Sequence, residues 1–148
     1  MGHLAEVVKK GYDAANRGDL DGLMDLLTPD IEFWDVGLPP AHGTADVRVA
    51  LRRVLVAFPD LKLTVRNLIE SGDWVAVETT STGTNLGPAH DPAGNEIPAT
   101  GKRISLESCS VVRIRDGKLA SYRAYGDMLA LMAQLGLIPA PAKVATSR

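Results

Sequence analysis

The sequence predicts an α+β fold, and three observations carry that prediction. Helical periodicity runs through the chain to Phe58, four long β-rich runs come between residues 61 and 125, and a short apolar segment of helical character begins at Met128. A sheet this long twists and bends, so helices laid on its concave face leave a hollow lined by alternate strand residues, a shape that serves as a ligand site. The expected architecture is a cone-shaped barrel, a curved antiparallel sheet wrapped around three N-terminal helices, with a short C-terminal helix.

Each element has its own local signal. Leu4, Val7, Val8, Tyr12 and Ala15 fall at helical spacing, and R-G-D stops that helix at Gly18. Asp19 can cap a second helix, L-D-G-L-M-D-L-L, which ends at Thr28-Pro29-Asp30 because the residue before proline is pushed out of the helical region. Residues 31 to 36 alternate, with Ile31, Phe33 and Asp35 on one face of a short strand. After the rigid G-L-P-P-A-H-G loop, Thr44 opens a third helix whose stripe is Val47, Leu51, Val54, Leu55 and Phe58. Residues 61 to 70, 73 to 84, 103 to 115 and 118 to 125 read as strands, separated by S-G-D, by a long G-P-A-H-D-P-A-G-N-E-I-P loop and by the R-D-G-K turn. In the last helix Asp127 stands at the N-cap and Gly136 at C′. That helix is too apolar to face water, so it is expected across the barrel mouth or against a partner chain. One domain over 1–148 is expected, with its core at about 4–138 and a frayed tail over 139–148.

Composition narrows the function classes. The net charge is −2 with no basic run or stripe, which gives no electrostatic reason for a nucleic-acid partner. No apolar run approaches the ~20 residues of a membrane span, and the N-terminus lacks a signal-peptide pattern. A single cysteine, Cys109, rules out an internal disulfide and fits a reducing compartment, so a cytoplasmic location is expected. His3 and His90 lie in the terminus and the long loop, and no His/Asp/Glu spacing suggests a metal site.

The order of motifs points to a family. G-D-L-D-G-L-M-D-L-L-T-P-D-I-E-F, H-G-T, F-P-D-L and R-D-G-K-L, in this sequence, resemble the cone-shaped barrel superfamily named after nuclear transport factor 2. Within it, S-T-G-T-N-L-G-P, P-A-T-G-K-R-I and Y-G-D-M-L-A-L-M-A-Q-L-G are similar to the SnoaL-like polyketide cyclases, over roughly residues 4 to 138. The resemblance implies a cofactor-independent aldol-type ring closure. An aspartate after the last long strand takes a proton from a carbon flanked by carbonyls and returns one to the closing ring. That aspartate matches Asp127, and the histidine often found two residues before it is Tyr125 here. The resemblance also implies a small polycyclic or hydrophobic substrate, no metal or organic cofactor, and a homodimer through the open outer face of the sheet.

Several residues compete for roles. The family pattern puts Arg123, Tyr125 and Asp127 on the inner face of the last strand, where desolvation raises a carboxyl pKa toward the range useful for carbon acids. Two readings of Asp127 stand side by side, cap and catalyst, and capping would lower the pKa that burial raises. Asp35 is the rival base. F-W-D-V-G-L-P-P-A-H-G resembles in placement the segment carrying the general base of ketosteroid isomerases, and Tyr12 matches their oxyanion tyrosine, although Ser108, Cys109 and Ser110 offer only small polar groups where those enzymes hold a protonated aspartate. The plain alternative for Asp35 is a turn former. Tyr12 and Tyr125 are candidate donors to an enolate oxygen, Trp34 a stacking surface, and His42 and Arg123 pocket-lining groups. Epoxide hydrolysis is disfavoured, because the Asp-Arg-Asp trio it needs is replaced by Thr79 and Ser81 on the neighbouring strand. A purely binding module, its cone lined only with Val, Leu and Ile, is the non-catalytic alternative.

Overall fold

The first helical stripe forms as its spacing demands: α1 (His3–Asn16) buries Val7, Val8, Tyr12 and Ala14, and Gly18 turns the chain in the left-handed region at φ +69°. The structure is a computed structural model and describes residues 2–139; the tail expected to fray lies outside the described residues apart from its first position. Asp19 caps α2 (Leu20–Met24) by accepting from the Gly22 N–H at 2.9 Å. This helix is shorter than the sequence suggested. Leu27 is already in β1 (Leu27–Asp35), because the Leu26 carbonyl is claimed by the Leu119 N–H at 2.8 Å. Pro29 has no N–H to give the ladder, and the pairing slips between Leu27 and Glu32.

The remaining elements are β2 (Ala41–His42), α3 (Gly43–Ala57), β3 (Lys62–Ser71), β4 (Trp74–Thr84), β5 (Ala89–His90), β6 (Glu96–Ile97), β7 (Arg103–Arg115), β8 (Lys118–Gly126) and α4 (Met128–Gln134). The main sheet runs β2-β1-β8-β7-β4-β3, and β5 with β6 makes a small separate hairpin within the long loop. The expected sheet was antiparallel throughout. In the structure β1 joins β8 in parallel, a direction left open because no turn links two strands so distant in sequence. Ile31, Val75, Val77, Val112, Ile114 and Leu119 form the sheet's side of the core, against Val8 and Tyr12 of α1 and Val47 of α3.

One irregularity decides which side chains enter the cone. Arg113 pairs with Ser121 but its neighbour Ile114 pairs with Leu119, so Ala120 is an extra residue in β8, a bulge. Strict alternation from Leu119 would send Arg123, Tyr125 and Asp127 inward. The bulge reverses the parity, and Tyr122, Ala124 and Gly126 face in instead.

Two polar anchors shape the open end. Asn85 is 1% exposed and fully occupied: its amide donates to the Ala57 and Gly87 carbonyls, while its oxygen accepts from the Thr100 N–H and hydroxyl. It pins the base of the loop that carries β5 and β6. Past the end of β8, which pairs no further than Ser108, the edge of β7 is met by a side chain. Gln134 accepts from Ser105 N–H at 2.7 Å and donates to Ser105 carbonyl at 3.0 Å, doing for one residue what a strand would do. Gly136 at φ +75° then closes α4 with paired bonds from Gly136 N–H to Ala133 and from Leu137 N–H to Met132.

Candidate active site

A cavity of about 610 Å³ opens between the sheet, α1, α3 and α4. Its wall is best described level by level across the strands. Deepest are Phe33 and Tyr122; next come Asp35, Ala124 and Ser110; then Gly126, Ser108 and Thr79; and nearest α4, Leu106 and Ser81, while Val112, Val75 and Val77, in register with the first two levels, are wholly buried in the core. Most of the remaining lining is apolar, including Met128, Leu131, Met132 and Leu135 of α4, so the apolar terminal helix covers the mouth as expected.

At the floor three hydroxyls meet. Tyr12 donates to Ser110 Oγ at 3.2 Å, Ser110 donates to the Tyr122 hydroxyl at 2.9 Å, and the two phenol oxygens are 3.1 Å apart. Phe33 stacks on Tyr122 with ring centroids 5.1 Å apart, which fixes the ring that presents the hydroxyl. Burial pushes the Tyr122 hydroxyl well above the ordinary tyrosine range, and burial likewise raises Tyr12, against the pull of its bonds to Ser110 and Tyr122. Both stay protonated at neutral pH and are available as donors.

Asp35 stands on the Ser110 level, two strand spacings or about 10 Å away across the sheet. Burial raises its carboxyl above the ordinary aspartate range, and one N–H, from Gly37 at 3.1 Å, pulls the other way. Its charge in turn adds to the upward shift of both tyrosines. The other lining carboxylates differ. Asp91 is held below the ordinary range by the Asn95 side chain and N–H, and Asp46 sits by the His42 N–H at 3.4 Å.

The other expected site residues lie wholly or partly elsewhere, and the bulge at Ala120 is the reason for three of them. Asp127 is exposed, with its Oδ1 accepting from Ala130 N–H at 2.9 Å as the cap of α4, and it does not line the cavity. Arg123 and Tyr125 stand on the outer face with Trp34: Arg123 Nε donates to the Tyr125 hydroxyl at 3.1 Å, its guanidinium lies 5.3 Å over Trp34, and the Trp34 and Tyr125 rings are 5.0 Å apart. Tyr125 is 46% exposed and also lines part of the cavity. His42 is also outside, bonded through Nδ1 to Glu32 at the β1–β2 edge. The placement of Arg123, Asp127, Trp34 and His42 within the hollow is therefore corrected, whereas Tyr12, Asp35 and, in part, Tyr125 line it. Tyr122 was not foreseen, and Ser108 and Ser110, noted in the sequence only as small polar groups, are in the wall; their sharing one strand face with the apolar Val112 and Ile114 was the signal for them.

The cap has a consequence that can be measured. Asparagine serves an N-cap about as well as aspartate, so Asp127→Asn should melt with the parent protein, while Asp127→Ala should lose about 1 kcal/mol. Turnover by Asp127→Asn should match the parent, because the side chain is outside the cavity; a dead but stable Asp127→Asn enzyme would reinstate it as the base.

The sequence model described as SnoaL-like polyketide cyclase matches residues 5–135. The chain belongs to this family. Among relatives of this SnoaL-like protein, the aklanonic acid methyl ester cyclase DnrD of Streptomyces peucetius is 28% identical over 136 residues, which cover 88% of this chain and 89% of DnrD. The solved structure of TsrD from Streptomyces laurentii superposes with a TM-score of 0.78 at 29% identity, covering 92% of this chain and 96% of TsrD. A protein of ketosteroid isomerase-like fold from Catenulispora acidiphila DSM 44928, at 17% identity and a TM-score of 0.74 over 88% of this chain and 92% of that one, shares the fold of the SnoaL-like chain. Among the described residues no helix is long and apolar enough to cross a membrane.

Proposed function

We propose that this SnoaL-like protein catalyses an intramolecular aldol-type ring closure on a flat, carbonyl-rich molecule, with Asp35 as the acid and base. The observation that carries the reading is the pairing, within one largely apolar cavity, of a desolvated carboxylate with a three-hydroxyl cluster whose Ser110 is level with it. Asp35 removes a proton from a carbon between carbonyls, and the electron pair moves onto the adjacent carbonyl oxygen. That oxygen is received by Tyr122, whose hydroxyl accepts from Ser110, which accepts from Tyr12; each bond polarises the next, so the donor at the end is strengthened. The enolate carbon then bonds to a second carbonyl of the same molecule, and the resulting alkoxide takes the proton now held by Asp35. The cavity's contribution is orientation and exclusion of water.

The same pair supports a second reading, a proton shuttle of the ketosteroid isomerase kind, in which Asp35 returns the proton to another carbon and no ring closes. Product analysis separates the two: a new carbon–carbon bond marks the first, a moved double bond the second. The hydroxyls and carboxylate in the wall count against a purely binding role, for which an all-aliphatic lining was the mark. Self-association is part of the proposal. The outer sheet face exposes the large side chains Ile69, Trp74 and Tyr125, which a second copy would cover. Size-exclusion chromatography with light scattering should return a dimer, and a monomer at micromolar concentration would remove this element.

A further inference from the structure

Asp35 is the last residue of β1, followed at once by a loop that lines the cavity, and a carboxylate at a strand end is ordinarily wet, yet this one is largely withdrawn from water. Gly37 shows what covers it. Its φ is not in the left-handed region, so the missing side chain there provides space and not conformational freedom. A Cβ at this position would stand 3.0 Å from the Met128 methyl carbon, 3.1 Å from the Met128 sulfur and 3.9 Å from Asp35 Oδ1. The thioether end of Met128 and the Asp35 carboxylate therefore border one small space, and the side that α4 adds to it is apolar. Met128 is the first residue of α4, and that helix is lightly held. No residue of Met128–Gln134 is fully buried, and Leu129 is 60% exposed. Apart from its own caps, the hydrogen bonds that tie it to the rest of the fold among the described residues are the two between Gln134 and Ser105. A segment with so few ties opens locally more readily than the core it rests on.

We propose that α4 is a movable cover whose Met128 keeps water from Asp35, so that this carboxylate is at full strength as a base only while the Gln134–Ser105 fastening holds the helix down. Met128 is then a positioning residue, acting through the carboxylate. Charge does not supply the effect. To the cavity wall α1 and β8 bring Tyr12 and Tyr122, α3 brings Asp46 and Arg53, and the segment around β5 brings His90 and Asp91, while α4 contributes only uncharged side chains. Burial raises the Asp35 carboxyl, and what pulls it back is the Gly37 N–H, with no neighbouring charge acting on it. Lifting α4 admits water, brings the carboxyl down toward its ordinary range and so weakens the base. The movement that opens the mouth and the strength of the base are thereby linked. The inference rests on Asp35 as the base for its effect on rate, and not for the drying itself.

The test is a direct titration of the Asp35 carboxyl carbon by carbon NMR, in full-length protein labelled at aspartate and without ligand, with Asp35→Asn identifying the signal. The parent midpoint should lie above the ordinary carboxylate range. Met128→Gln, close to methionine in size but polar, should lower it by about one pH unit, and Met128→Leu, which keeps an apolar end, should hold the parent value. Gln134→Ala leaves Met128 in place and should move the midpoint in the same direction, while quickening amide exchange over residues 128–134 and leaving that of Val112 and Ile114 in the core unchanged. A midpoint that stays at the parent value in both Met128→Gln and Gln134→Ala would overturn the cover. Hydrogen exchange at the ketone 2-tetralone reports on the base separately. Midpoints that shift as expected in a protein that does not exchange 2-tetralone condemn the assigned base alone, and exchange that depends on Asp35 with unmoved midpoints condemns the cover alone.

Discussion

Asp35→Asn should lower kcat by roughly 10²- to 10⁴-fold, the span contributed by a positioned general base. Asparagine keeps the shape of the side chain and can still accept from the Gly37 N–H, so a change in fold does not stand in for the loss. Stability should move the other way. Because burial raises the carboxyl in the folded state above its unfolded value of about 3.9, the folded protein holds this proton over a range in which the unfolded chain has lost it. The group's favourable contribution is complete below the unfolded value and is lost as pH rises through the folded one. At neutral pH the ionised carboxylate thus opposes folding, and Asp35→Asn should melt higher than the parent there, with the gap closing in acid. The acid limb of kcat/KM should show an apparent pKa above the ordinary carboxylate range and should be missing from the variant's residual rate. A variant that is both less stable at pH 7 and fully active would contradict the assignment on two counts.

Tyr122→Phe should cost roughly 10²- to 10³-fold in kcat, the effect of removing one donor to a developing oxyanion. The ring stays stacked on Phe33, so the loss isolates the hydroxyl. In the free protein Ser110 loses the acceptor it donates to, a loss of about 1 kcal/mol in stability. Tyr12→Phe should be milder, because Tyr12 stands one bond further from the ligand and acts through Ser110 as a positioning residue. A split distinguishes the roles. Tyr122→Phe should lower kcat with KM nearly unchanged, as expected for a bond that strengthens in the transition state, whereas a pure packing role would leave kcat intact.

The sequence carried the scaffold further than it carried the site. Element types and most boundaries were legible because apolar periodicity and turn residues are local signals: the stripe of α1, the R-D-G-K turn and Gly136 at C′ all act within a few neighbours. Asp35 was legible for the same reason, since Ile31, Phe33 and Asp35 alternate without interruption. The face of β8 was not. Its parity depends on a single extra residue, Ala120, whose bulge arises from pairing with β7 and leaves no local mark in the chain. That one residue exchanged Tyr122 for Tyr125 and moved Asp127 from the hollow to the cap of α4. The parallel β1–β8 junction was hidden likewise, being a contact between distant parts of the chain. The hydroxyl cluster joins α1, β7 and β8, and no spacing within any one of them announces it.

The most direct measurement is hydrogen–deuterium exchange at the activated carbon of 2-tetralone in D₂O, monitored by NMR with parent, Asp35→Asn and Asp127→Asn proteins at equal concentration. Parent and Asp127→Asn should accelerate exchange alike, and Asp35→Asn should fall to the buffer rate. Exchange that persists in Asp35→Asn and vanishes in Asp127→Asn would show that the proton is taken by the carboxylate at the cap and not by the one in the hollow.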